Sequence, residues 1–328
     1  MALKDRWEFH YHRGSETVAC PPHSLNIEPT NICNLNCPRC SLDHQQSKGR
    51  IDFDFFSDLV EQAAFIGVEE IRLFLAGEPF LHRQLPEMVE KVERLGLRSI
   101  IHSNGTRLTE ENSRAMLDAG VSIISFSIDG SDAETYEIKR KNGIFNDTME
   151  NVDRFLRIKQ SLGDGNRSRV IIQSLIPVGQ TLLPPQTLIE RFRGLPVAYF
   201  KVLHPHNFRG EAGEIEDYRV DSATPSPCMF LWHEMSVNWK GLVHGCCADL
   251  NGHLIRGDLK KESILSVWNN DIARELRRTH AGGRPHFHDL CFECSVPYQR
   301  QKVTSYLDLL RQETRKGMRR MLLRKRPA

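Results

Sequence analysis

The chain has 328 residues, 44 Lys and Arg against 42 Asp and Glu, and is 40% apolar and 26% charged. This is the balance of an ordinary globular protein, with length for one large domain and a smaller one. A net charge of only +2 argues against a nucleic-acid partner, and no run of about 18 apolar residues suggests a membrane span.

Residues 1–21 read as an N-terminal extension. The start, Met1 to His12, is charged and aromatic and lacks the apolar stretch of a secretory signal, so a cytoplasmic location is expected. From 22 to 205, short β-rich runs alternate with longer amphipathic ones. The predicted strands are Leu25–Ile27, Ile71–Leu75, Arg98–Ile101, Ile123–Ile128, Val170–Ile176 and Ala198–Val202. Between them, helices are predicted at Phe53–Phe65, Leu85–Leu95, Glu110–Ala119, Phe145–Gln160 and Pro185–Phe192. Thr109 before Glu110 and Glu111 reads as an N-cap with acids in the first turn, and Gly120 as the closing glycine. Strand–helix alternation requires parallel pairing, because the helix carries the chain back across the sheet. Six units fall short of a closed eight-unit barrel. An α/β fold is therefore expected, an open partial (β/α)6 barrel or a doubly wound sheet, with its chemistry at the carboxyl ends of the strands.

Residues 206–226, rich in Pro, Gly and charge, read as a linker. Residues 227–300 have few periodic segments but hold five of the nine cysteines, and a region with so little core needs a metal staple. Trp232, Trp239 and Trp268 are expected in the core of this smaller domain. Residues 301–328 read as a basic helical tail. Eight basic residues between Arg311 and Ala328 face one acid, Glu313, and leave the rest of the chain at −5. Such a tail suits an acidic partner or an anionic membrane surface, or is simply a solvated terminal helix.

The cysteines are clustered, and in a chain with no sign of secretion clustered thiols point to metal rather than to disulfides. Cys33, Cys37 and Cys40 follow the first strand with C-x3-C-x2-C spacing, close enough to converge on one iron–sulfur cluster. Zinc is the competing reading, but it normally takes a fourth ligand, and none stands nearby. Three ligands leave one iron of a 4Fe–4S cluster open.

At these residues the chain resembles the radical S-adenosylmethionine (radical SAM) superfamily. The resemblance implies that the open iron binds S-adenosylmethionine, that one electron cleaves the sulfonium, and that a 5′-deoxyadenosyl radical takes a hydrogen atom from the substrate. It also implies a reductant such as flavodoxin or ferredoxin. Arg39 departs from the aromatic residue the family often has there. Further strand-end motifs are similar to the family's. Ala76-Gly77-Glu78-Pro79 matches the turn whose backbone and acid hold the methionine amino group. Ser103-Asn104-Gly105 and the Ser125–Gly130 segment, with Ser127 and Asp129, match motifs near the ribose and carboxylate. Arg140, ahead of Gly143 and Phe145, matches a base that pairs with the methionine carboxylate.

The second group, Cys228, Cys246, Cys291 and Cys294, has the pattern C-x12-G-x4-C followed by C-x2-C, with Gly241 placed for a hairpin turn. It resembles the SPASM/twitch extension of the same superfamily, and the resemblance implies an auxiliary 4Fe–4S cluster; a closed zinc site is the alternative. No cysteine follows Cys294. The layout is therefore the one-auxiliary-cluster type, similar to that of the aminocyclitol dehydrogenase of butirosin biosynthesis.

These features point to an oxidoreductase that dehydrogenates an alcohol or amine in a polar small molecule or sugar, passing an electron to the auxiliary cluster. Two other enzymatic readings stand beside it. One is an epimerase in which the spare Cys247 returns a hydrogen atom, and the other is a peptide-modifying maturase. A non-enzymatic reading, an electron carrier or a zinc-stapled binding module, would need damaged strand-end motifs. His204, His206 and Arg209 are candidates to reach the barrel mouth as a base.

Overall fold

The computed structural model describes residues 3–177, 179–212, 225–284 and 288–298; the basic tail at 301–328 lies outside them. Six parallel strands run in sequence order across an open sheet. They are β1 (Ser24–Ile27), β2 (Glu70–Arg72), β3 (Arg98–Ser103), β4 (Ile123–Ser127), β5 (Arg169–Leu175) and β6 (Val197–Leu203). This is the expected α/β partial barrel.

The helices that return the chain are amphipathic and locally capped. In α2 (Phe53–Ile66), Asp52 accepts the Phe55 N–H, and Gly67 closes the helix at φ 89°. Its stripe Phe56, Leu59, Val60 and Ala63 is buried against the sheet. Next come α3 (Leu85–Arg94) and α4 (Glu110–Asp118), where Thr109 accepts the Asn112 N–H as its position predicted. The chain then forms α5 (Ala133–Lys139), α6 (Phe145–Ser161) and α7 (Gln186–Arg191). Fully buried Phe126 of β4 meets Phe155 of α6 edge to face at 5.3 Å. Each such buried side chain contributes about 1.5–3 kcal/mol.

The structure holds elements that the sequence reading did not predict, α5 among them. A helix α1 (Leu3–His12) precedes the sheet. After the short α8 (Phe230–His233), strand β7 (Glu234–Val237) pairs parallel with the free edge of β1, Ser24 opposite Glu234. The sheet continues antiparallel through β8 (Leu242–His244) and β9 (Ile255–Asp258), giving the order β6-β5-β4-β3-β2-β1-β7-β8-β9. The cysteine-rich region is thus built on the edge of the barrel sheet.

One hydrophobic core runs through both parts, from Phe56 and Phe126 to Trp232, Val243 and Trp268. Trp232 and Trp268 are fully buried, but they do not pack within the smaller domain alone. Their indole N–H groups donate to the Ser15 and Cys20 carbonyls of the N-terminal segment, at 2.8 and 2.9 Å. Trp239 is only half-buried, with Lys240 over its ring. Two helices, α9 (Ile264–Trp268) and α10 (Asp271–Ala281), complete the described structure. Arg277 of α10 is wholly buried and lies 4.4 Å from the Trp268 ring centre. It donates to the Leu231, Glu16 and Trp268 carbonyls and to Asn269 Oδ1. No described helix is long and apolar enough to cross a membrane.

Candidate active site

The three thiols of the first group sit on a long loop after β1, and hydrogen bonds clasp that loop on every side. Thr30 Oγ1 donates to the Gly49 carbonyl, and Asn31 donates to the Ser47 carbonyl while accepting the Gly49 N–H. These bonds close the neck of the loop. Asn34 ties it to the end of β3, donating to Thr106 Oγ1 and accepting from Asn104. Asn251, beyond β8, holds the far side through the Ser41 carbonyl and the Asp43 N–H.

Cys33, Cys37 and Cys40 open onto a cavity of about 490 Å³ at the carboxyl ends of the strands. The predicted cofactor-binding residues Gly77, Glu78, Asn104, Ser127, Asp129 and Arg140 line the same cavity, as does Arg39. The structure therefore brings together nine residues that span more than a hundred positions in sequence. Cys247 does not line the cavity. Burial and the nearby Glu234 carboxylate hold its thiol well above the usual range.

The side chains of Glu78 and Arg140 are engaged within the protein. Glu78 is buried; its Oε2 accepts the Asn104 N–H at 2.7 Å, and its Oε1 accepts Ser103 Oγ–H at 2.8 Å and the Phe80 N–H at 3.2 Å. Burial raises its pKa against these donors. Arg140 Nη2 meets Asp129 Oδ2 at 2.5 Å, and the guanidinium charge lies near enough to Cys37 to favour its thiolate. Asp129 Oδ1 accepts the Leu175 N–H at 2.8 Å, which links the ends of β4 and β5. Arg140 Nε remains buried without a partner.

These observations test whether the cavity fits an iron–sulfur cluster with S-adenosylmethionine. Burial pushes the Cys33 thiol up to about 11, helped by the charges of Glu78, Cys37 and Cys40, and burial raises Cys37 too. Such thiols ionise together only around a cationic metal core. Arg140 Nε is a free donor for an anionic group. The Gly77 backbone is held at φ 74°, where an added Cβ would come 2.3 Å from the Thr30 carbonyl. The donor set fits.

Glu28, fully buried on the lumen side of β1, was not visible as a site residue. Its Oε1 accepts the Ala76 N–H and its Oε2 the Trp239 N–H, bridging the turn before Gly77 to the β7–β8 hairpin. Burial pushes its carboxyl up to about 7.

The second group lies behind that hairpin, whose turn places Gly241 at φ 91°. Cys291 and Cys294 are buried, Cys228 and Cys246 partly so. Burial pushes Cys246 up to about 12 and raises the other three, each thiolate opposing its neighbours. His280 of α10 accepts the Cys228 N–H at Nδ1, which leaves the proton on Nε2, 3.3 Å from Cys291 Sγ. Arg209 donates to the Leu290 carbonyl and pairs with the buried Asp249 at 3.1 Å. Arg209 is therefore not at the barrel mouth. His206 faces Phe208 and is pushed down to about 4 by burial, and His204 bonds the Ile176 carbonyl. Among these neighbours only Pro205 and Phe208 reach the cavity. Among the described residues no three His, Cys, Asp or Glu side chains converge on one ion-sized point.

A radical SAM superfamily profile matches residues 27–163, and the SPASM iron–sulfur cluster-binding domain matches 228–295. The chain carries a radical SAM domain and a C-terminal SPASM domain. Among curated relatives, a tungsten-containing aldehyde ferredoxin oxidoreductase cofactor-modifying protein of Pyrococcus furiosus is 28% identical over 42% of this chain and 40% of its own length. The chain spans roughly a third to two fifths of the length of the relatives it matches first. Among solved structures, BtrN in complex with AdoMet and 2-DOIA has a TM-score of 0.58 at 19% identity, covering 83% of this chain and 92% of that one. Streptococcus suis SuiB bound to precursor peptide SuiA has a TM-score of 0.61 at 14% identity, covering 90% and 74%. The two domains imply S-adenosylmethionine, a 4Fe–4S cluster and auxiliary iron–sulfur chemistry.

Proposed function

We propose that this radical SAM chain is an oxidoreductase that dehydrogenates an alcohol or amine carbon of a polar small molecule. The observation that carries the reading is the pairing of two unlike thiol groups on one sheet. Three thiols face a cavity, and four are enclosed behind the β7–β8 hairpin. When loaded, the first site supplies a hydrogen-abstracting radical and the second an acceptor for the electron left on the substrate.

Cys33, Cys37 and Cys40 hold the first cluster, and the Gly77–Glu78 turn, Asn104, Ser127 and Arg140 wall the cofactor beside it. Leu35, Leu42, Leu175 and Leu250 keep water from the reacting carbon. His102, stacked on Phe74 at 4.0 Å, forms a flat floor and stays neutral, because burial and the nearby Lys201 and Arg72 push it down to about 3. Cys228, Cys246, Cys291 and Cys294 would hold the second cluster, which would take up the electron. An electron donor of the flavodoxin or ferredoxin type completes the system.

Anaerobic reconstitution with iron, sulfide, dithionite and S-adenosylmethionine tests this. The expected results are about eight irons per chain, 5′-deoxyadenosine, and a product two hydrogens lighter than its substrate. Stoichiometric zinc without iron overturns the reading. In deuterated solvent, a product with the substrate's composition save for one hydrogen exchanged for deuterium moves it to epimerisation by Cys247. A peptide-modifying role is the second reading, favoured by the fold shared with SuiB, which was solved with a precursor peptide.

A further inference from the structure

The lumen of the barrel holds a cation that the protein leaves uncompensated. Along β4, β5 and β6, Phe126, Ile172 and Val202 are buried on one face. By the two-residue period of a strand, Ser127, Gln173 and Lys201 stand on the other, lumen face. The registers set these three side by side, Ser127 opposite Gln173 and Gln173 opposite Lys201. Ser127 and His102 line the cavity, and Gln173 and Lys201 stand beside Ser127 in the same row, behind the lining residues.

Among the described residues, the Lys201 ammonium has neither hydrogen bond nor ion pair, and the only charged group acting on it is Arg72. Arg72 repels it and is itself satisfied by Glu234 at 2.6 Å and Glu70 at 3.0 Å. His102, neutral, offers no compensation. Two buried polar atoms nearby lack partners as well, Gln173 Oε1 in the same row and Ser125 Oγ one row below. Lys201 is half-buried, so its ammonium stays within reach of the lumen, and the repulsion by Arg72 is relieved when an anion arrives beside it.

We propose that Lys201 anchors an anionic group of the substrate, a carboxylate or phosphate, with Gln173 and Ser127 donating alongside. A turn of the Gln173 amide presents its NH₂ to the same point. The inference rests on the proposed function in one respect, that substrate enters this cavity from the thiol end. It adds the substrate's charge: a sugar acid, amino acid or phosphorylated alcohol, rather than a cationic aminocyclitol.

The test uses the anaerobically reconstituted, S-adenosylmethionine-loaded protein, with malonate and inorganic phosphate as probes in thermal-unfolding titrations. Wild type is expected to gain several degrees with saturable dependence on at least one probe. Lys201→Arg should keep that response and Lys201→Met should lose it. Without any anion, Lys201→Met should melt at a higher temperature than wild type, because it removes the uncompensated charge. A wild type indifferent to both probes overturns the inference. So does a Lys201→Met variant that responds like wild type, or one that melts lower without anion, which makes Lys201 a structural member of the lumen. Loss of the response in Lys201→Arg also overturns it, since a proton acceptor rather than a fixed cation is then needed. Failure of the wild type to form 5′-deoxyadenosine would count against the proposed function alone, because the anion titration involves no radical chemistry.

Discussion

The two thiol groups of this chain differ in how the protein holds them. Cys33, Cys37 and Cys40 ride on a loop clasped by polar side chains, with Cys40 exposed and one side given to a cavity. Cys228, Cys246, Cys291 and Cys294 are enclosed, touched by a histidine N–H, flanked by the Arg209–Asp249 pair, and built into the main core. An open site binds and turns over a ligand. A saturated, buried one can only exchange electrons and brace the fold around it. The contrast of three against four is visible in the sequence; the contrast of loop against core is not.

Replacing Cys33, Cys37 and Cys40 together with alanine should abolish 5′-deoxyadenosine formation and remove half the iron, while thermal unfolding shifts little. The same treatment of the second group should lower the unfolding midpoint steeply, and equal shifts for the two sets would break the comparison. Arg277→Ala, which strands four acceptors, the Leu231 and Trp268 carbonyls among them buried, should cost about 3–5 kcal/mol in denaturant unfolding and loosen the second group before the first. Gly77→Ala forces a side chain into a left-handed position against the Thr30 carbonyl. It should weaken S-adenosylmethionine binding and cost about 1–3 kcal/mol of stability, read by calorimetry. His280→Phe removes the N–H donor to Cys291. It should lower the potential of the second cluster alone in a spectroscopic redox titration, with partial recovery in His280→Gln.

An effect that is absent at neutral pH and develops only in acid concerns His102. It titrates near 3 in the folded chain against 6.5 when unfolded, so only the unfolded state takes up a proton in between. Its contribution is fully present above pH 6.5 and fades as the pH falls toward 3. His102→Gln should flatten that decline by up to ~1.4 kcal/mol per pH unit in urea titrations.

The six barrel strands were legible to within a few residues at each end, because apolar runs, caps such as Thr109 and closing glycines such as Gly120 are local signals. Helix α5 was missed although Asp132 caps it onto Thr135, since seven residues carry too little periodicity to stand out. The pairing of β7 with β1 was illegible because nothing in Glu234–Val237 names a partner so far away. The cavity residues were found one motif at a time. Their partnerships were not, because Glu78 with Ser103, Arg140 with Asp129, and the bridging role of Glu28 depend on strand ends that only the folded sheet brings together. Lys201 escaped notice for a related reason: a lysine in a strand reads as solvent-facing until the curvature of the sheet turns it inward.

The parallel joining of β1 to β7 has a consequence for how the protein is made. During synthesis, one edge of β1 waits while about 200 further residues emerge. Contacts of such long sequence separation form late, so the neighbouring strands β2 to β6 pair before the sheet closes over that edge, while the first cysteine loop still lacks Asn251 on its far side. In that interval β1 offers unpaired backbone to any passing strand.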